Sequence, residues 1–267
     1  MNFIDSHAHI NDEAFDQDRD QVIKRVFENG TYKFIEIACE THEWLPALAL
    51  CEKYPSRVAA VLGVHPQVAQ TYDDSAKHKL IELLQNPHVA ALGEIGLDYA
   101  YLHACPKETQ LNVFEEMLAL ANKVQKPIVL HIRREEENYE PYDTAFHFLK
   151  HSWTPVSTKY PGVLHCFSAR YEEAKQALDH GLLLGINGCF TYKKNEYIRE
   201  AVKKAGADKL VLETDCPYLS PQGKRGTRND PSNIPLIAQW VADYLNMPVE
   251  KLAEITTQNA LDLYNLK

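Results

Sequence analysis

Short apolar runs alternate with longer stretches of helical spacing along the whole chain. The runs fall at 3–6 (FIDS), 33–39 (KFIEIAC), 58–64 (VAAVLGV), 89–97 (VAALGEIGL), 127–133 (PIVLHIR), 162–167 (GVLHCF), 182–190 (LLLGINGCF) and 209–215 (KLVLETD). Near-continuous apolar strands separated by helices signal a parallel sheet covered on both faces. Residues 107–125 show the helical spacing, with Leu111, Phe114, Leu118 and Ala121 on one face. Similar stretches cover roughly 15–29, 43–53, 75–85, 140–151, 170–180 and 195–205, and a last helical section, 234–265, closes the chain.

Eight strand–helix units in 267 residues predict a (β/α)8 TIM-type barrel with a parallel sheet. No linker, low-complexity tract or short-period repeat interrupts them, so residues 1–267 read as a single domain. An open doubly wound sheet is the runner-up, but no G-x-G-x-x-G loop follows the first strand. Hydrophobic residues make up 45% of the chain, enough for a sizeable core. The formal net charge of -9 argues against a protein coated with nucleic acid or bound to anionic membrane, although a local basic patch can still grip phosphate. No apolar run approaches the roughly 18 residues of a membrane span, and Asp5 and the nearby histidines interrupt any secretory signal. The six cysteines form no C-x-x-C pair, and several lie in strand-like runs. A reduced, cytoplasmic protein with no obligate protein partner is therefore expected.

In such a barrel, chemistry gathers at the carboxyl ends of the strands. The first strand ends in His7-Ala8-His9, where alternation puts both imidazoles on one side. Later strands end in or carry His65, Glu94, His131 with Arg133, His165, and Glu213-Thr214-Asp215. A single His at a strand end is usually a hydrogen-bonded rim residue. Glu94 inside an apolar run is different, because a buried carboxylate needs a cation or a donor; an ion pair with Arg133 would be the bland solution. Four of these His (His7, His9, His131 and His165) and two carboxylates (Glu94 and Asp215), all at strand ends, are hard to explain as independent accidents. Imidazole plus carboxylate without equivalent Cys suits Zn, Mn, Fe or Ni, and tolerates Mg less well. Nucleophilic catalysis is disfavoured, since no G-x-S-x-G elbow exists and the acidic neighbours of Cys216 would raise its pKa.

The motifs DSHAHI (5–10), GVHP (63–66), GEIGLDY (93–99), LHIR (130–133), LHCFSA (164–169) and ETDCPYLSP…RGTRNDP (213–231) span the chain in order. With them the sequence resembles the TatD-related metal-dependent deoxyribonucleases, within the amidohydrolase-type barrel hydrolases. The resemblance implies a dinuclear centre of two divalent ions (Mg, Mn, Zn or similar) and phosphodiester hydrolysis by a hydroxide held between them. It implies that His7 and His9 bind one ion, that His131 and His165 bind the other, and that Glu94 bridges the two. Asp215 would complete the site and orient water, and His65 would stand near the scissile phosphate. Arg133 would meet phosphate oxygens. DNA, as single strands or ends, is the implied partner.

The chain departs from the family pattern after His131-Ile132-Arg133, where Arg134 and Glu135–Glu137 open an acidic segment over 134–142. A solvated loop is the plain reading, and an altered rim over the substrate groove the sharper one. Lys224, Arg225 and Arg228, in the loop QGKRGTRND, are candidate contacts for a phosphate backbone. Tyr99, Tyr101, Tyr192 and Tyr218 lie just beyond strand ends, placed to stack on bases or to pack the rim. Two rivals remain. One is a metal-dependent hydrolase of an ester, amide or aminoacyl ester on the same site, because ligands alone do not separate carbonyl from phosphoryl chemistry. The other is a non-catalytic metal-binding module, disfavoured because structural sites are closed and Cys-rich.

Overall fold

The strands follow one another around the sheet in chain order. In the computed structural model, which describes residues 1–267, they are β1 (Phe3–Ala8), β2 (Thr31–Ala38), β3 (Val58–Leu62), β4 (Val89–Asp98), β5 (Ile128–Arg133), β6 (Gly162–Leu164), β7 (Leu183–Ile186) and β8 (Leu210–Leu212). All seven neighbouring pairs are parallel. The ring closes between β1 and the segment after β8, through an Ala8–Cys216 bridge and hydrogen bonds from Asp215 N to His7 O and from His9 N to Cys216 O. This is a (β/α)8 barrel of one domain.

The helices are α1 (Arg19–Glu28), α2 (Trp44–Lys53), α3 (Asp74–Leu83), α4 (Lys107–Val124), α5 (Glu140–Ser152), α6 (Tyr171–Asp179), α7 (Glu196–Ala205), α8 (Ile234–Leu245) and α9 (Val249–Tyr264). No helix is long and apolar enough to cross a membrane. The last helical section is two helices, not one. Asn246 adopts a left-handed conformation and Pro248 follows, so α8 stops and α9 restarts.

Two apolar layers result from strand alternation. Ile4, Ile37, Val61, Ala91, Val129, Val163, Leu183 and Val211 form one cluster drawn from every strand, so they fill the barrel interior. Residues of the opposite parity, such as Phe34, Leu62, Leu92, Leu130, Leu164, Leu184 and Leu212, join the helices in the larger cluster. All six cysteines are free thiols.

Three strands are shorter than the apolar runs suggest, and this matters for the site. β6 ends at Leu164, β7 at Ile186 and β8 at Leu212. Cys166 and Asp215 have positive φ, 49° and 57°, which breaks the extended backbone. His165 and Asp215 are therefore held in turns just past their strands, each tied back by a backbone bond, from His165 N to Leu130 O and from Asp215 N to His7 O.

Candidate metal centre at the carboxyl ends of the strands

β1 brings His7 and His9 to one point, with their Nε2 atoms 3.3 Å apart. The strand end is fixed from below by Asp5, which is fully buried and accepts from His7 N and Thr214 N. Burial pushes the Asp5 carboxyl up to about 8, against the pull of its Thr214 and His7 hydrogen bonds.

Glu94 sits in the middle of the constellation. A register shift between Gly93 and Ile95 across β4 and β5 places it where the strand bulges, which re-aims its side chain. Its Oε1 is 2.9 Å from His165 Nε2 and 3.1 Å from His131 Nδ1. Its Oε2 is 3.4 Å from His7 Nε2 and 3.7 Å from His9 Nε2. Asp215 Oδ1 faces the second pair, 3.5 Å from His9 Nε2 and 3.7 Å from His7 Nε2. The His7 and His165 rings stack with centroids 3.7 Å apart.

The electrostatics show what this arrangement demands. Burial would push Glu94 up, but His165 and His7 hold it well below the usual carboxylate range. Burial would lower His9, yet Asp215 and Glu94 push it up to about 9. Burial likewise opposes the rise of His131, which Asp98 and Glu94 drive. Glu94 keeps its charge while His9, His131 and His165 are pushed toward protonation, so positive charge is required here. Hard carboxylate and borderline imidazole donors fit divalent cations. The His7 Nδ1 and His165 Nδ1 atoms are buried without a hydrogen-bond partner.

His65 lies at the rim beyond β3. Its Nδ1 accepts from Gln67 N at 3.1 Å, so the neutral ring carries its proton on Nε2. Burial, with His131 beside it, depresses its pKa to about 3. Its ring meets that of His131 edge-on, centroids 4.4 Å apart. Arg133 ends β5 exposed, over the ring of Tyr101 at 4.8 Å from the centroid. That stack takes the place of an ion pair with Glu94.

Two buried carboxylates belong to this site and carry no role in the motif reading. Asp98 Oδ2 accepts from Gln67 Nε2 at 2.7 Å and faces His131 Nε2 at 3.3 Å. Glu213 Oε1 accepts from Cys166 N at 2.7 Å and faces His165 Nδ1 at 3.4 Å. A carboxylate behind an imidazole fixes the ring and raises its basicity at the other nitrogen. Gly185 makes room for Glu213, since a Cβ there would lie 2.2 Å from its Oε2. Both acids stand in strand-end motifs, GLDY and ETD, and that position was the signal available.

The basic loop after β8 is less free than its sequence suggests. Arg228 pairs with Asp18 through two bonds of 2.9 and 2.6 Å. Lys224 Nζ donates to Asn233 Oδ1 at 2.6 Å, and Arg225 lies over the Tyr192 ring at 4.6 Å. Among the tyrosines, Tyr99 and Tyr192 are buried and cannot stack on bases. Tyr218 is 57% exposed, three residues from Asp215. Glu135, Glu136 and Glu137 are exposed, as a solvated loop requires.

A family model described as TatD related DNase matches residues 4–265. The chain belongs to the TatD-related DNase family. It is 33% identical to the metal-dependent hydrolase YabD of Bacillus subtilis, covering 98% of each chain. It is also 33% identical to the 3'-5' ssDNA/RNA exonuclease TatD of Erwinia tasmaniensis, covering 98% of this chain and 99% of that one. The crystal structure of the TatD homologue YjjV from Escherichia coli superposes with a TM-score of 0.89 at 29% identity, covering 99% and 98% of the two chains.

Proposed function

We propose that this metal-dependent hydrolase cleaves phosphodiester bonds of DNA, as single strands or from ends, at a centre of two divalent cations. One observation carries the reading: the two oxygens of Glu94 face different sets of imidazoles. Oε2 faces His7 and His9, with Asp215 alongside, and Oε1 faces His131 and His165. A carboxylate shared between two nitrogen pairs is the arrangement a bridged pair of cations requires. His7, His9 and Asp215 would hold one ion, and His131 and His165 the other.

Bound there, divalent cations supply Lewis acidity toward a phosphoryl oxygen and acidify water. The chain's own groups supply the rest. Asp215 stays ionised because His9, His165 and His7 outweigh the cost of its burial, so it can accept a proton from the attacking water. His65, neutral with its proton on Nε2, donates to a phosphate oxygen. Arg133, exposed at the mouth, offers a second donor set. Asp98 holds the His131 ring through Nε2, and Glu213 stands beside Nδ1 of His165 as a nearby negative charge.

The ligand set is tested by Glu94→Ala. The variant is expected to lose at least one bound ion and nearly all turnover while the barrel stays folded. Elemental analysis showing wild-type metal content would overturn the assignment. The substrate class is tested separately, with Mg, Mn or Zn, on 5′- and 3′-labelled single-stranded DNA, on RNA and on a panel of carboxylic esters. Hydrolysis of esters with DNA left intact would overturn the phosphodiester reading.

A further inference from the structure

The opposite end of the barrel holds a cavity of about 290 Å³. It opens at the amino ends of the central strands, where Val58 and Val89 begin β3 and β4. Val89 precedes Glu94 by five residues, roughly 16 Å by the strand rise, so the cavity is separate from the centre described above. Three cations line it, Lys33, Arg57 and Lys126, and no Asp or Glu does. In a chain of net charge -9, such a grouping is unexpected.

None of the three cations meets a carboxylate. Lys126 Nζ donates to Val89 O at 2.6 Å, and Lys33 Nζ donates to Ser56 O. Arg57 Nη1 donates to Tyr32 O at 3.0 Å. Backbone carbonyls orient these groups but do not neutralise them. Burial lowers the pKa of both lysines, and Arg57 lowers that of Lys33 further. Like charges gathered in a partly desolvated cleft, each with spare donors, cost stability unless an anion answers them. Lysine and arginine together suit a phosphate group, which accepts from several donors at once.

We infer that this cavity is a second binding site, for a small phosphate-bearing anion, held by Lys33, Arg57 and Lys126. Inorganic phosphate and a nucleoside monophosphate share the recognised chemistry. The site stands on these residues alone and does not depend on the function proposed for the metal centre.

Calorimetric titration of the full chain in the presence of EDTA tests it, with inorganic phosphate, deoxyadenosine 5′-monophosphate and deoxyadenosine as probes. Phosphate and the monophosphate are expected to bind once per chain, and deoxyadenosine not at all. Tighter binding of the monophosphate assigns the site to nucleotides; equal binding assigns it to the phosphate group itself. K33Q/K126Q is expected to weaken binding by about tenfold or more and to leave turnover at the metal centre unchanged. The single variant R57Q, at an exposed position, is expected to give the same direction of change, with an unchanged melting temperature as the check on its fold. Binding that both variants leave unaltered, or no binding at millimolar phosphate, overturns the inference.

Discussion

His65 shows how one hydrogen bond fixes a side chain's chemistry. Because Nδ1 accepts from Gln67 N, only Nε2 can donate outward, and the depressed pKa of about 3 keeps the ring neutral at ordinary pH. A neutral donor aimed at a developing negative charge is worth more in the transition state than before it. His65→Ala is therefore expected to lower kcat by about 10–100-fold, equivalent to roughly 1.4–2.7 kcal/mol. His65→Gln, whose amide can donate from a similar place, should recover part of that loss. Metal content should be unchanged in both. Steady-state kinetics beside elemental analysis decides the matter: wild-type kcat in His65→Ala would remove this residue from the reaction, and lost metal would make it a support for the centre.

At the scale of an element, the turn after β1 is pinned by an acid on β2. Glu36 is fully buried and accepts from Ile10 N at 2.9 Å and Asn11 N at 3.0 Å, directly after His9. Burial raises its pKa from 4.5 to about 7, outweighing the two N–H donors that favour the anion. The folded chain thus keeps a proton that the unfolded chain releases at lower pH. This contribution to stability is fully present below about pH 4.5 and is lost as pH rises through about 7. Glu36→Gln replaces one acceptor by a donor and should cost about 1–3 kcal/mol. It should also flatten the fall in stability between pH 5 and 8 relative to wild type. Parallel denaturation curves for the two proteins across that range would contradict the account. Elements of this kind also mark the limit of sequence reading. The barrel was legible because eight apolar runs and eight helical stretches alternate, and His7, His9, Glu94, His131, His165 and Asp215 were legible because each ends or interrupts such a run. Asp98 and Glu213 sit in the same motifs, but their work is to face His131 and His165, which only the folded ring reveals. The break between α8 and α9 is signalled by Asn246 and Pro248, but the apolar spacing that runs on across them outweighs that signal in the sequence.

For the molecule as a whole, the proposed function asks how a chain of net charge -9 would hold a polyanion. Long-range attraction is absent, so binding must come from the centre and from a few local cations. The loop after β8 offers three, and the structure separates them. Arg228 is committed to Asp18, whose carboxyl it holds low, and lies over Phe15 at 4.5 Å. A half-exposed pair of this kind is worth about 0–1 kcal/mol to the fold. Lys224 is tied to Asn233. Arg225 has only the face of Tyr192 as partner and keeps its charge unanswered. Arg225→Ala is therefore expected to weaken binding of single-stranded DNA and to reduce the slope of log K against log salt by about 0.7, the release from one phosphate contact. Arg228→Ala should leave that slope nearly unchanged and lower the melting temperature slightly, because its charge is already spent on Asp18. Measuring oligonucleotide affinity over a salt series, with the metal supplied throughout, separates the two residues. An equal loss of slope in both variants would mean that the Arg228–Asp18 pair opens when DNA arrives. No change of slope in either would place the phosphate backbone elsewhere on the rim, where Arg133 is the exposed alternative.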